Sequence, residues 1–193
     1  MRSGRYDALA IALHWTIALL ALGQIALGWW MIDIPKTPVG VRAGWFNLHK
    51  SLGMTIGVLM LARLGWRLAH RAPALPAALP LWQARVARAS HWLLYGALIA
   101  QPVVGYLGSS FTSYPIKYFG HTLPQWAWDS PSLKALCSNV HFALACLISG
   151  LVALHIAAAF FHLARGDGVF ERMWPRAHRS GRLVGAPDAG LRT

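Results

Sequence analysis

The chain has 193 residues, of which 56% are hydrophobic and only 12% are charged, and its formal net charge is +12. That apolar content is too high for an ordinary soluble domain. Four apolar stretches are long enough to cross a membrane as helices. They cover roughly residues 8–31, 45–69, 84–107 and 137–163.

The positive charge is better explained by membrane topology than by nucleic-acid binding, and no nucleic-acid partner is expected. If the helices alternate in direction, thirteen basic residues fall on one side and five on the other. Basic residues favour the cytoplasmic side. Both termini and the loop between the second and third helices are therefore predicted to be cytoplasmic, in a multi-pass protein of the bacterial inner (plasma) membrane. The thirteen are Arg2, Arg5, Arg63, Arg67, Arg71, Arg85, Arg88, Arg165, Arg172, Arg176, Arg179, Arg182 and Arg192; the five are Lys36, Arg42, Lys50, Lys117 and Lys134.

The first helix starts close to Met1 but lacks a small-residue cleavage site, so it is interpreted as a retained helix and not a signal peptide. In the second helix, Gly53 and Gly57 follow His49 at steps of four. This smooth strip suits either a packed neighbouring helix or a flat macrocycle. The predicted fold is an all-α, up-down four-helix transmembrane bundle.

In the third helix, Gln101–Pro102 is predicted to kink the outer half. Residues 108–136, the longest extramembrane stretch, contain several aromatic side chains and prolines and are expected to include a short amphipathic piece on the outer leaflet. Residues 1–175 are predicted to form one transmembrane domain, and residues 176–193 a basic cytoplasmic tail. No internal repeat is expected beyond the alternation of helix direction.

Four histidines fall at two depths in the predicted bundle. His141 and His155 are fourteen residues apart, which at helical rise is roughly 21 Å along a single face. His49 is level with His141 near the outer side, and His14 is level with His155 near the inner side. Ionisable groups in hydrocarbon are costly, so they are interpreted as functional.

Histidines on facing helices hold a haem iron from both sides inside helical bundles. Two such pairs predict two b-type haems, because the chain has no C-x-x-C-H motif for covalent attachment. Iron ligated on both faces transfers electrons and does not activate oxygen. Zinc fits less well, since four histidines at two heights cannot converge on one tetrahedral ion. A haem-free helical membrane protein is the remaining alternative.

Further polar residues gather at the inner level. His91 can replace His14 or His155 as a ligand, or it can exchange protons beside the inner haem together with His162, since neutral imidazole both accepts and donates. Arg63 and Arg67 can bind haem propionates by bidentate hydrogen bonds. Both arginines can equally be snorkelling residues that mark the membrane surface.

These residues resemble the prokaryotic cytochrome b561 family, four-helix di-haem proteins akin to the cytochrome b subunits of formate dehydrogenases and nickel–iron hydrogenases. The resemblance covers about Arg5 to Pro175. The stretches that carry it are Arg5-Tyr6, Leu13-His14-Trp15, Leu48-His49-Lys50-Ser51-Leu52-Gly53, Arg63-Leu64-Gly65-Trp66-Arg67, His91 with Leu94-Tyr95, Pro102 to Gly105-Tyr106, His141, and His155 through His162.

The resemblance implies that His49 and His141 hold the outer haem and that His14 and His155 hold the inner one. It also implies electron exchange with ubiquinone and a periplasmic donor, for which superoxide is the first candidate. Lys117 and Lys134 can attract such an anion, or they can be ordinary solvated charges. The alternative function is an electron-carrying cytochrome b subunit without its own catalysis, docked to a separate periplasmic or membrane redox protein.

Overall fold

The computed structural model describes residues 4–35, 37, 40–70, 72–74 and 79–175. The predicted basic tail 176–193 lies outside these residues, as do Lys36 and Arg71. Four long helices carry the fold. They are α1 (Ala8–Met31), α2 (Val41–Ala69), α3 (Leu81–Ser110) and α4 (Pro131–Arg165).

Three of the helices extend beyond the apolar stretches that predicted them, because helical structure continues into the polar residues at the membrane surface. Residues suited to helix ends mark the actual limits. The side chain of Asp7 accepts a hydrogen bond from Ala10 N at 2.8 Å and caps α1. Pro131 occupies the first turn of α4, and Gly166 ends that helix with φ of 61°.

Helices that follow each other in the chain pack side by side, α1 against α2, α2 against α3, and α3 against α4. The backbone of α4 approaches that of α3 closely but stays further from α1 and α2. A small core of Ile17, Ile56, Met60 and Tyr95 joins the first three helices. The backbones are therefore furthest apart between α4 and the α1–α2 pair, and the space between them is left to side chains.

Large apolar side chains cover the outside of the bundle, as lipid contact requires. Within the described residues, α1, α2 and α4 are long and apolar enough to cross a membrane. The fourth predicted span, α3, does not meet the same composition criterion, and its crossing of the membrane stays a prediction. That helix has the length, but Arg85, Arg88, His91 and Gln101 dilute its apolar content.

The segment between α3 and α4 differs from the predicted amphipathic piece, and the fold is therefore not purely α. It forms a short antiparallel hairpin of β1 (Ile116–Tyr118) and β2 (His121–Leu123). Phe119 and Gly120 both have positive φ, 44° and 93°, as the tight turn of a two-residue hairpin requires. The Phe119 N–H donates to the hydroxyl of buried Ser51 at 2.9 Å, which fastens the hairpin to α2.

At the opposite, inner end, the chain after α4 folds back over the start of α1. Arg172 is buried and donates through Nε to Gly4 O at 3.1 Å and through Nη2 to Pro73 O at 2.5 Å. The Trp15 indole donates to Met173 O at 2.7 Å. A single arginine thus joins the N-terminus, the α2–α3 loop and the segment after α4.

Candidate functional site

The outer histidine pair faces across the gap between α2 and α4. The ring centres of His49 and His141 are 6.2 Å apart, and the ring planes are inclined at 71°. His141 Nδ1 lies 3.2 Å from the backbone carbonyl of Gln101, which leaves its Nε2 available for a ligand. The structure thus brings together the two residues that the depth argument paired.

A cavity of about 970 Å³ opens around this pair, at the upper end of the range for cofactor sites. Its lining is mostly apolar, and the charged residues that line it in the described part of the chain are all basic. They are Arg42, Lys50, Lys117 and Lys134. Lys117, on β1, therefore lies at the cavity and not on a remote surface. A concave site with only positive charge attracts anions.

The inner histidine pair repeats the outer geometry. The ring centres of His14 and His155 are 6.1 Å apart, with planes inclined at 70°. His91 also contacts His155, with centres 5.4 Å apart and planes inclined at 65°. The structure therefore brings His14, His91 and His155 together. The ring distance and angle between His14 and His155 match those of the outer pair.

Arg63 and Arg67 lie at the inner level and are half-buried against α3. Arg63 Nε donates to the Tyr95 hydroxyl at 3.0 Å. The Arg67 guanidinium lies over the rings of Trp92 and Tyr95, at 5.8 Å and 5.7 Å from their centres. These contacts hold the guanidinium groups against the bundle, where a freely snorkelling side chain would not be held. No motif in the sequence indicated that Tyr95 is the partner of Arg63.

His162 lies further in, and its surroundings also differ from expectation. Its Nδ1 is 2.6 Å from Oδ2 of Asp167, just after α4. Partial burial raises the pKa of Asp167, but hydrogen bonds from His162 and from the Val169 N–H outweigh that effect and leave the pKa below its usual value. An acidic partner for His162 thus comes from the loop beyond the helix.

The helices α1 and α3 share a repeated pattern that was not predicted, so the expectation of no internal repeat was wrong. Each helix contains H-W-x8-Q-x3-G with identical spacing. In α1 the residues are His14, Trp15, Gln24 and Gly28, and in α3 they are His91, Trp92, Gln101 and Gly105. Each Gln and Gly contacts the outer histidine of the next helix. Aligning α1 with α3 would have revealed the repeat.

The family model for prokaryotic cytochrome b561 matches residues 5–176. The chain belongs to the prokaryotic cytochrome b561 family. It is 31% identical to cytochrome b561 homolog 2 of Escherichia coli (strain K12) over 176 residues, which cover 88% of this chain and 90% of that protein. Identity is 28% to cytochrome b561 homolog 1 of the same strain, over 89% of this chain and 98% of the relative.

A third relative, from Yersinia pestis, has the name "Probable superoxide oxidase CybB". It is 27% identical over 180 residues, which cover 89% of this chain and 97% of that protein. The resemblance inferred from the histidine and arginine motifs is therefore confirmed. This cytochrome is a prokaryotic membrane protein for electron transfer, and its family implies that it binds haem b.

The residues at the two histidine pairs fit such a group. A histidine nitrogen lies about 2 Å from a metal it ligates and about 1 Å from its own ring centre, so imidazoles on opposite sides of one ion have centres about 6 Å apart. Both pairs have that separation. Gly105 keeps the space beside His141 open, since a Cβ there would lie 3.0 Å from its Cε1. Within the described part of the chain, His49 Nδ1 is a buried polar atom without a hydrogen-bond partner.

Proposed function

We propose that this cytochrome is a di-haem oxidoreductase that moves single electrons between a periplasmic donor, superoxide, and ubiquinone. The observation that carries the proposal is the equal geometry of two histidine pairs at two depths, 6.2 Å and 71° against 6.1 Å and 70°. His49 and His141 would hold the outer haem, and His14 and His155 the inner one. Bis-histidine haem b supplies one-electron transfer.

The topology that the proposal requires has both termini in the cytoplasm and α3 crossing the inner membrane with the other helices. The bias of basic residues towards one side supports it. So does the thirty-residue length of α3, which exceeds the roughly 20 residues that a bilayer requires. In this topology the hairpin and the outer cavity face the periplasm. The opposite end of the bundle, where Arg172 bonds to Gly4 and Pro73, faces the cytoplasm.

The basic residues of the outer cavity support an anionic donor. Two superoxide anions would each lose one electron and leave as O₂, while one ubiquinone would take up two electrons and two protons to become the quinol. Lys117 and Lys134 would raise the local concentration of the anion by electrostatic attraction. The Yersinia pestis relative's printed name adds support for this choice of donor.

The inner end supplies groups suited to the quinone reaction. His91 would hold a proton on an imidazole nitrogen and pass it to the quinone, and His162 would exchange protons with the cytoplasm beside Asp167. Arg63 and Arg67 would orient the carboxylates of the inner haem, since Tyr95 and Trp92 already limit their movement. His91 and His162 therefore have the proton-handling role in the proposal.

The enzymatic proposal is tested by reduction of the purified, haem-loaded protein with superoxide and its reoxidation by ubiquinone, at several salt concentrations. Steering by Lys117 predicts that Lys117→Glu lowers the superoxide rate severalfold and weakens its salt dependence, while Lys117→Arg keeps both. Arg88 is exposed on α3 and is not among the residues that line the cavity, so Arg88→Glu serves as the charge-matched control. Equal rates for Lys117→Glu and this control would contradict the proposal.

A second candidate is a non-catalytic electron carrier for a separate periplasmic or membrane redox protein. Exposed aromatic side chains between α3 and α4 favour it, namely Tyr114, Trp126 and Trp128, since aromatic residues are enriched where proteins dock. Under this alternative, superoxide reduction would be slow in every variant, and a redox protein would co-purify with the native membrane preparation. A protein that always elutes alone would count against it.

A further inference from the structure

Each outer histidine is held by a glutamine and a glycine one turn apart on the preceding helix. On α1, Gln24 Nε2 donates to the backbone carbonyl of His49 at 2.6 Å. Gly28, four residues later, lies so close that a Cβ there would be 3.4 Å from His49 Cε1. The Nδ1–Cε1 edge of the His49 ring therefore faces α1, and the amide orientation of Gln24 is fixed because only its NH₂ end can donate to a carbonyl.

The same arrangement holds His141 on the other side of the cavity. Gln101 Nε2 donates to the backbone carbonyl of His141 at 3.1 Å, and a Cβ on Gly105 would be 3.0 Å from His141 Cε1. The two units are thus equivalent in sequence spacing and in their contacts. They place two imidazoles of different helices on opposite sides of one cavity.

The two units differ in one respect, the partner of the second ring nitrogen. His141 Nδ1 lies 3.2 Å from the backbone carbonyl of Gln101. Among the residues that the structure describes, His49 Nδ1 and Gln24 Oε1 are both buried without a hydrogen-bond partner. A histidine that ligates a metal through Nε2 carries a proton on Nδ1, and it almost always donates that proton to an acceptor. His49 would thus have a free donor and Gln24 a free acceptor, and these two residues are already joined by the hydrogen bond from Gln24 Nε2 to the His49 carbonyl.

We propose that Gln24 is a positioning residue for the outer haem, whose Oε1 accepts the Nδ1–H of His49 when that histidine ligates the iron. The two ligands of one haem are then supported by different acceptors, a side-chain amide for His49 and a backbone carbonyl for His141. This inference rests on the proposed bis-histidine site. Its consequence is that only the His49 side can be altered by replacing a side chain.

The strength of the acceptor on Nδ1 determines the direction in which the reduction potential of the outer haem shifts. A stronger acceptor on Nδ1 makes the imidazole a more basic ligand, which stabilises ferric iron and lowers the reduction potential. Gln24→Glu supplies a stronger acceptor, so we expect the outer-haem potential to fall. Gln24→Leu removes the acceptor at similar size, so we expect the potential to rise. Gln101→Leu is the matched control, because the backbone acceptor of His141 survives that substitution.

The experiment is an equilibrium redox titration of the purified full-length proteins, with the outer haem assigned as the one that His141→Ala removes. The proposal predicts opposite shifts for Gln24→Glu and Gln24→Leu and a smaller shift for Gln101→Leu. Shifts of the same sign, or shifts no larger than in the control, would overturn it. If Gln24→Leu fails to retain the outer haem, Gln24→Glu alone decides, and a potential equal to or above that of the wild type overturns the proposal.

Failure of this inference is distinguishable from failure of the haem assignment. Should the wild type lack a second haem, or keep both haems after His49→Ala, the bis-histidine site itself is wrong. Should both haems be present and depend on the four histidines while the Gln24 variants leave the potential unchanged, only the role of Gln24 is wrong.

Discussion

The Nε of Arg63 donates to the hydroxyl of Tyr95 at 3.0 Å and thereby joins α2 to α3 at the inner level of the bundle. Tyr95 is only 7% exposed and belongs to the small core with Ile17, Ile56 and Met60. The hydroxyl is therefore a fixed acceptor within a packed region, and it limits where the guanidinium can lie relative to the inner histidines.

Tyr95→Phe keeps the ring and removes only this acceptor. A hydrogen bond to a charged group contributes about 1.5–3 kcal/mol, so we expect a lower midpoint of thermal unfolding, measured in detergent by circular dichroism. Tyr114→Phe, at an exposed side chain, is the control and should leave the midpoint unchanged. Equal midpoints for the two variants would show that the Arg63–Tyr95 bond does not stabilise the bundle.

Gly105→Ala should disturb the outer haem site more than Gly28→Ala. A Cβ on Gly105 would meet His141 Cε1 at 3.0 Å and Nδ1 at 3.2 Å, so the ring must move by a few tenths of an ångström. A Cβ on Gly28 would meet His49 Cε1 at 3.4 Å, an ordinary contact. The readout is the haem content and the low-temperature electron paramagnetic resonance spectrum of each oxidised protein. A larger change in the Gly28 variant would contradict the packing.

Asp7 stabilises the inner end of α1 through two hydrogen bonds, from Ala10 N at 2.8 Å and from the Trp66 indole at 3.0 Å. Partial burial raises the pKa of Asp7, but these bonds outweigh it and leave the pKa below the usual value. The stabilisation is therefore complete above the unfolded pKa of about 3.9 and is lost as the pH falls through the lower folded value.

Asp7→Ala removes this cap, and loss of an N-cap costs about 1 kcal/mol. We expect the unfolding midpoint of the variant to lie below that of the wild type by a constant amount between about pH 5 and 7, and the difference to shrink below about pH 4. Thermal unfolding of both proteins across that range is the measurement. A difference that grows as the pH falls would have the wrong sign for an acid whose pKa is lowered by folding.

Arg172 closes the inner end by bonding to the carbonyls of Gly4 and Pro73. Arg172→Ala removes both hydrogen bonds, and a hydrogen bond from a charged group contributes about 1.5–3 kcal/mol. Thermal unfolding and limited proteolysis of residues near Gly4 should both show the loss. Arg88→Ala, at an exposed position on α3, matches the change in charge. If Arg172→Ala and Arg88→Ala unfold at the same temperature and are cleaved equally fast, the hydrogen bonds of Arg172 do not stabilise the protein.

The depths of the histidines could be predicted from the sequence, because helical rise converts residue spacing into height along the bundle. The partner of His155 at the inner level could not. His14 and His91 lie at similar depths, and only the arrangement of α1, α3 and α4 in space shows that both contact His155. Which of the two ligates remains a prediction.

The hairpin could not be predicted because residues 116–123 are a short run of aromatic and polar side chains that suits either an interfacial helix or two brief strands. The decisive contact, Phe119 N to Ser51 Oγ, joins residues far apart in the chain. The repeat in α1 and α3 was hidden for a different reason. Only four positions are shared between the two stretches, and most of the others are apolar residues that differ between them.

The haem-to-protein ratio of purified wild type, His141→Ala and His91→Ala tests the central claim most directly, combined with reduced-minus-oxidised spectra. We predict two haems in the wild type, one in His141→Ala because the outer iron loses a ligand, and two in His91→Ala because that imidazole ligates neither iron. Fewer than two haems in the fully loaded wild type, or two retained after His141→Ala, would contradict the account.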